Sequence, residues 1–542
     1  MWFPQDFPFP CYNVNNGRYN SILRWKNTRN IIYEELTGSI IPCLQFNRPH
    51  SRVLHSSWFI LSICFIQWFV VISMIPILKK PKCDIENPIC STEQCKVSNS
   101  SIIECEVCFI YSNDIDYGCG GIDLQDNSIF ILTVLNSVGA VISRIVIGPL
   151  SDHYGIRYTY IILLSISLIA SILQGIFPTL VVYTSLLNGV IGGSFILSVL
   201  WTIQMFDTPI LGTVIGIIGG IGNFGGGLVY FINAYIYDAC INNVDCAVVG
   251  ICNNICLLWP SVIILFIIPY IYKFTDDCPY GTYQELKKYY ADMNAQEQQQ
   301  QEQQQQEQQT YDQDIEINLD DTLHDSIVSL YETVPNITVG TVWKNLKNIK
   351  LLILSLGYLV SFGLEITLYS NFNIYIKQIL NLSHKNSDLF ASIFGFITLV
   401  SRPFGGILTD KIFNSFGVSG RVKFASFTII STGVVGLAFS LIITNCKNNI
   451  LCIEQGEIYN DIKLIVVIWS VCTNMAEGAI FGLLSYIDNQ SVATNISIIG
   501  TSGVVGAIIG NILFRTTGGY ITFIIFGFLG IFTGFITAII ML

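Results

Sequence analysis

The chain has 542 residues, of which 51% are hydrophobic and 12% charged, and its mean hydropathy is +0.55. That composition excludes a soluble enzyme of several domains and describes a polytopic membrane protein. The net charge of −11 decides little, because acidic residues gather around Asp312 to Asp325, in a solvated segment rather than on one functional face.

Taken from the start, residues 1–54 are polar and aromatic, carry Arg18, Arg24, Lys26 and Arg29, and do not open on a charged n-region with a short apolar stretch. They read as an uncleaved cytosolic segment. Hydropathy then predicts twelve spans, centred on 57–78, 128–149, 158–177, 181–204, 210–235, 250–272, 350–374, 388–409, 422–444, 463–486, 493–514 and 519–541. The fold expected is all-α, a facilitator-like arrangement of twelve transmembrane helices in two six-helix bundles, residues 55–273 and 350–542. The first bundle carries a Cys-rich outer loop at 79–124. Residues 274–349 form the linker between bundles and contain the run Gln298 to Glu307, too polar to bury a core and therefore expected to be cytosolic and disordered.

Twelve spans with a cytosolic start put both termini and the linker inside. Lys and Arg favour the predicted cytosolic segments, although Lys79, Lys80 and Lys82 follow the first span on the outer side. Cysteines supply a second line. Cys83, Cys90, Cys95, Cys105, Cys108 and Cys119 share the first outer loop, Cys240 and Cys246 the third, and Cys446 and Cys452 the fifth. Even counts on the outer side read as disulfides in an oxidising compartment. Metal binding by the first six is the alternative, with no histidine among them to support it. Sequons at Asn99 and Asn381 also fall in outer loops, and the membrane expected is the plasma membrane.

One segment occurs twice. Ser143-Arg144-Ile145-Val146-Ile147-Gly148-Pro149-Leu150-Ser151-Asp152 returns 258 residues later as Ser401-Arg402-Pro403-Phe404-Gly405-Gly406-Ile407-Leu408-Thr409-Asp410, with Ser, Arg, Gly, Leu, a hydroxyl residue and Asp in register. Each arginine lies inside a predicted span, about two turns before the aspartate. A charge near mid-membrane costs roughly 2.5–3.5 kcal/mol on insertion scales, so it is kept where it meets a cavity or a partner. Equivalent positions in two halves would bring both guanidiniums to a central cavity, where planar forks suit a small oxyanion. The alternative is structural: Glu365 in span seven and Glu477 in span ten could neutralise the arginines. No histidine lies within a predicted span, so the same two acids are also the candidate proton carriers for coupling.

Gly148, Asp152 and Arg157 in the first half, with Gly406 and Asp410 in the second, form the turns that would gate the inner face, the aspartates pairing across halves or simply capping a loop. Span five holds Gly216-Ile217-Ile218-Gly219-Gly220-Ile221-Gly222-Asn223-Phe224-Gly225-Gly226-Gly227 and span eleven Gly500-Thr501-Ser502-Gly503-Val504-Val505-Gly506-Ala507. Such runs let helix backbones approach closely, or leave a groove in which Asn223 could meet a ligand.

With those residues in view, the chain resembles the nitrate/nitrite porter family of the major facilitator superfamily. The resemblance rests on Arg144 to Asp152, Arg402 to Asp410, the Gly-rich helix with Asn223, Trp201 to Phe206 leading into Gly212, Gly357 to Glu365, and Glu477 to Gly482. It implies that Arg144 and Arg402 hold the anion and that Gly222, Asn223 and Gly225 line its path. Where the family's second Gly-rich helix also carries Asn, this chain has Val504. The function expected is alternating-access transport of nitrate or nitrite, with protons as a candidate co-substrate and the lipid bilayer as surroundings. No enzyme activity, metal, cofactor or nucleic-acid partner is expected. The rival readings are a facilitator for an amino acid or another organic anion, and a non-transporting nutrient sensor.

Overall fold

A computed structural model describes residues 49–79, 122, 124–203, 205–206, 210–241, 246–277, 345–380, 382–448, 456–483 and 492–541. In hydrocarbon every backbone N–H and C=O must be paired within its own segment, so long apolar runs become helices. They are α1 (Pro49–Ser73), α2 (Asp126–Tyr154), α3 (Ile156–Ile176), α4 (Val181–Gly189), α5 (Ser194–Ile203), α6 (Leu211–Ile241), α7 (Cys246–Phe274), α8 (Ile349–Leu380), α9 (His384–Asn448), α10 (Gly456–Gly482), α11 (Val492–Thr517) and α12 (Gly519–Met541).

Eleven helical segments of the described residues are long and apolar enough to cross a membrane, where twelve spans are predicted. The difference is one of connection, because predicted spans eight and nine run together in α9 and are parted only at Gly417, whose φ of 63° breaks the helix. Gly155, at φ 85°, makes the corresponding break between α2 and α3. Side chains rarely tolerate this backbone region. Predicted span four runs as one crossing segment, Pro178–Ile203, within which α4 and α5 are joined by a tighter 3-10 turn at Val190–Gly193. The spans also reach further than hydropathy drew them, so that His50 and His55 lie in α1 and His384 opens α9. The ten cysteines expected to pair, both sequons, residues 1–48 and residues 278–344 of the linker lie outside the described residues or side chains, while residues 50–54 of the expected cytosolic segment belong to α1. Cys64, Cys256 and Cys472, within helices, are free thiols.

The helix pairing repeats. In the first half α1 packs on α6, α2 on α4, and α3 on α7. In the second, α8 packs on α11, the first limb of α9 on α10, and α9 again on α12. The same duplication governs burial: the apolar windows of α1 and α8 are 94% and 83% buried, whereas those of α7 and α12 are each 39% buried. The inner pair is therefore surrounded by protein, and the outer pair shows apolar side chains such as Phe266 and Ile539 to the surroundings. The halves meet along two equivalent seams, α6 on α9 and α11 on α2. The duplicated arginine segments lie on these seams, one in α2 and one in α9.

Candidate functional site

Arg144 is fully buried and held by backbone. Its Nε donates to the carbonyl of Gly192 at 2.9 Å, and its Nη1 donates to the carbonyl of Gly500, across the seam in α11. The 3-10 turn of Val190–Gly193 supplies the first of these acceptors, which is the local consequence of breaking span four. Around the guanidinium stand the rings of Trp68, Phe195 and Phe362, with Cζ 5.9, 5.7 and 5.2 Å from their centroids. Among the described residues no carboxylate forms an ion pair with Arg144, and its Nη2 has no hydrogen-bond partner.

Arg402 is equally buried but differently paired. Its Nη1 forms an ion pair with Glu477 and lies 4.0 Å from Glu365, while Nη2 donates to the Tyr358 hydroxyl at 3.2 Å. Its Cζ lies 5.3 Å from the centroid of Phe195, the same ring that faces Arg144. Both guanidiniums thus converge on one aromatic side chain, one from each half. Tyr358 and Phe362, a turn apart in α8, stack at 4.9 Å and complete an aromatic wall with Phe481. Charge facing ring surfaces gains roughly 0.5–2 kcal/mol per contact, more where water is excluded. Tyr358, Phe362 and Phe481 fall within the stretches that carry the family resemblance, whereas Phe195 lies outside them and gains a role only where the fold sets it beside two charges.

The glycine run divides by function. A Cβ on Gly219 would stand 2.6 Å from Arg402 Nε, so this glycine makes room for the guanidinium. A Cβ on Gly222 would meet the Leu61 side chain at 2.3 Å, and one on Gly225 the Ser62 carbonyl oxygen at 2.1 Å, so these two settle α6 against α1. Asn223 is fully buried and donates from Nδ2 to Glu365 Oε2 at 3.3 Å, across the seam between halves. Its amide therefore orients the acid beside Arg402. Val504 is buried in the apolar core.

At the other end of the seam, Asp410 Oδ2 accepts from Thr213 backbone N at 2.7 Å and Thr213 Oγ1 at 2.6 Å, capping the first turn of α6. Its Oδ1 accepts from Arg421 Nη2 at 2.6 Å, and Arg421 also donates to the Gly482 carbonyl. Gly406 permits the approach, since a Cβ there would stand 2.3 Å from the Gly212 carbonyl oxygen. Arg157 donates from its backbone N to Asp277 Oδ1 at 2.9 Å, and from Nη2 to the end carbonyls of α7. Gly148 is buried, and the side chain of Asp152 lies outside the described ones. Thr213 escaped the sequence reading, whereas Arg421 ends the turn Lys411 to Arg421 that follows the second repeat, as Arg157 ends the turn after the first.

Comparison with known proteins follows the same lines. The family model described as Major Facilitator Superfamily matches residues 57–511. High affinity nitrate transporter 2.7 of Arabidopsis thaliana is 22% identical over 471 residues, covering 85% of this chain and 77% of its own length. High-affinity nitrate transporter 2.3 of Oryza sativa subsp. japonica is 23% identical, covering 86% of this chain and 73% of its own. Among solved structures, the proton:xylose symporter XylE matches with a TM-score of 0.57 at 13% identity, covering 90% of this chain and 95% of that one, which bears on the fold alone.

Proposed function

The chain belongs to the major facilitator superfamily, and from that premise we propose that it moves nitrate or nitrite across a membrane by alternating access. One observation carries the reading: Arg144 and Arg402, from opposite halves, face the single ring of Phe195, and among the described residues Arg144 has no carboxylate to balance it. A small planar oxyanion matches that arrangement. Its oxygens can accept from the forks of two guanidiniums while its flat face lies against an aromatic wall. Because Arg144 already reaches across to Gly500 and Arg402 to Gly219, an anion between them would draw the two seams together. Binding is thereby linked to the change of access, as a ligand can bias a conformational equilibrium only through contacts that differ between states.

Charge balance supports proton coupling. Two arginines and two glutamates sum to zero when all are ionised, so a bound anion leaves the buried cluster at −1. Adding one proton to Glu365 or Glu477, adjacent carboxyls that can share it, restores neutrality. Anion and proton then favour each other's binding by linkage. Accumulation inside a negative cell requires a driving ion, because one elementary charge costs about 2.3 kcal/mol per 100 mV. Asn223, by orienting Glu365, belongs to this coupling group, and Gly219 joins the anion site. The Asp410–Arg421–Thr213 cluster is the inner gate. Cytosolic placement of both termini is supported by the even number of predicted spans and the bias of Lys and Arg, and the plasma membrane is the membrane proposed.

The test is uptake of labelled nitrate by the full-length chain in proteoliposomes, with competitors. Nitrite should compete near-equally, and small carboxylates and amino acids weakly. Stronger competition by an amino acid would overturn the oxyanion reading, and no uptake of any anion would leave a sensor.

A further inference from the structure

Asp388 is a buried carboxylate that the central site does not use. It lies on α9 fourteen residues before Arg402, about 21 Å along the helix, and is 1% exposed. Its Oδ1 accepts from Asn373 Nδ2 of α8 at 3.2 Å, and its Oδ2 lies 3.3 Å from His384 Nε2, one turn earlier on α9. The groups facing it are Lys377 of α8, which acts on it through space, and Tyr230 of α6. The ring of Tyr237, also from α6, meets His384 edge-on at 5.3 Å. Lys385, its neighbour on α9, is engaged with Asp238 of α6 at 2.7 Å. A carboxylate and an imidazole side by side, at the end of the molecule where α8 turns into α9, are the chemistry of a proton acceptor within reach of the medium.

α8 connects this cluster to the centre. Glu365, Tyr369, Asn373 and Lys377 recur every four residues and so form one stripe along the helix. From Glu365 to Asn373 the stripe climbs about 12 Å. Tyr230 stacks on Tyr369 at 6.4 Å and its hydroxyl donates to the Tyr369 carbonyl. Hydroxyls both accept and donate, as a relay between two carboxylates requires. Glu365 itself is fully buried, so a proton must reach it through the protein.

We propose that Asp388 is the proton-loading carboxylate of this chain and that it supplies Glu365 along the α8 stripe. A proton from the outer medium binds a carboxylate oxygen of Asp388. It then leaves that oxygen as the Glu365 carboxylate gains one, with the Tyr230 and Tyr369 hydroxyls lying between. The proposal rests on the reading that Glu365 carries the coupled proton and that the α8–α9 turn faces outward.

The experiment measures nitrate uptake by the full-length chain against bath pH, and nitrate counterflow at matched pH in proteoliposomes, for wild type, Asp388→Asn, Asp388→Glu and Glu365→Gln. Asp388→Asn should cut pH-driven uptake by about tenfold or more and flatten its pH profile, while counterflow stays within about twofold. Asp388→Glu should keep a pH response with a displaced midpoint. A wild-type pH profile in Asp388→Asn, with Glu365→Gln flattened, would overturn this inference and leave the coupling reading standing. Loss of counterflow together with uptake in both Asp388 variants would make the residue structural and would overturn it too. If the wild type shows no pH-driven uptake, the coupling reading itself fails.

Discussion

Arg144 and Arg402 differ in how they are balanced, and that difference sets what each substitution should do. Arg144 bonds two carbonyls at once, Gly192 on its own half and Gly500 on the other, while its Nη2 has no hydrogen-bond partner. Lysine retains the charge but cannot span both acceptors and still present a donor. Losing one charged hydrogen bond costs about 2 kcal/mol, so Arg144→Lys should lower nitrate uptake at equal surface expression by roughly 30-fold in kcat/KM. Arg402 is also a counter-ion to Glu477, so its replacement leaves buried acids uncompensated. Arg402→Gln should therefore reduce the amount of folded protein as well as uptake. Arg402→Gln with Glu477→Gln should recover the amount, measured by surface labelling, without recovering uptake. Near-normal transport in Arg144→Lys and Arg402→Lys would remove the paired-guanidinium site from consideration. Among the described residues, glutamates pair with Arg402, as the structural alternative weighed from sequence requires, and none pairs with Arg144.

Helices show where the glycine run divides, and a pair of alanine substitutions tests it. Gly225→Ala places a methyl 2.1 Å from a carbonyl oxygen of α1, backbone against backbone, which can be relieved only by moving a helix. Overpacking of that kind costs about 1–3 kcal/mol, so less folded protein is expected, with the remaining molecules transporting at an unchanged KM. Gly219→Ala places its methyl 2.6 Å from Arg402 Nε, a side chain that can yield, so the amount should hold and the KM should rise several-fold, by about 1 kcal/mol. Equal effects of the two on KM would mean that the run is packing alone. From the sequence, the spans, the duplicated arginines and the glycine density were legible, because each is a local pattern of hydropathy or spacing. Which glycine meets Arg402, and that Asn223 donates to Glu365, depended on helices more than a hundred residues away. The aromatic wall was legible in part, since Tyr358, Phe362 and Phe481 lie in the stretches that carry the resemblance, but in an apolar span aromatic residues are common, and only a charge beside them gives them, and Phe195, a role. The break in span four was legible only in hindsight, from Gly192 and Gly193.

In the whole molecule the halves touch at both ends of the seam between α6 and α9, and the relative strength of the two contacts biases which end separates. At the α8–α9 end the cross-half ion pair Lys385–Asp238 is 34% and 43% exposed. Exposed pairs contribute about 0–1 kcal/mol. At the opposite end Asp410 caps α6 of the other half and is held by Arg421, with both side chains largely withdrawn from solvent. Removing one partner of a buried pair costs about 3–5 kcal/mol. Of these two contacts, the one at Asp410 is thus the stronger. Asp410→Asn should shift the population toward the state open at that end by a factor of about 100 or more, whereas Lys385→Met should shift it by no more than about fivefold. The measurement is thiol labelling of a cysteine introduced in the first turn of α6, where accessibility follows separation of α6 from α9. It is read in a background whose native free thiols, Cys64, Cys256 and Cys472, are replaced. Labelling should rise steeply in Asp410→Asn and stay near the parent level in Lys385→Met. Nitrate added to Asp410→Asn should lower it again, because an anion gripped by Arg144 and Arg402 pulls on both seams. If nitrate leaves labelling unchanged while still binding, the arginines hold the anion without driving closure, and the coupling of site to gate must pass through other contacts.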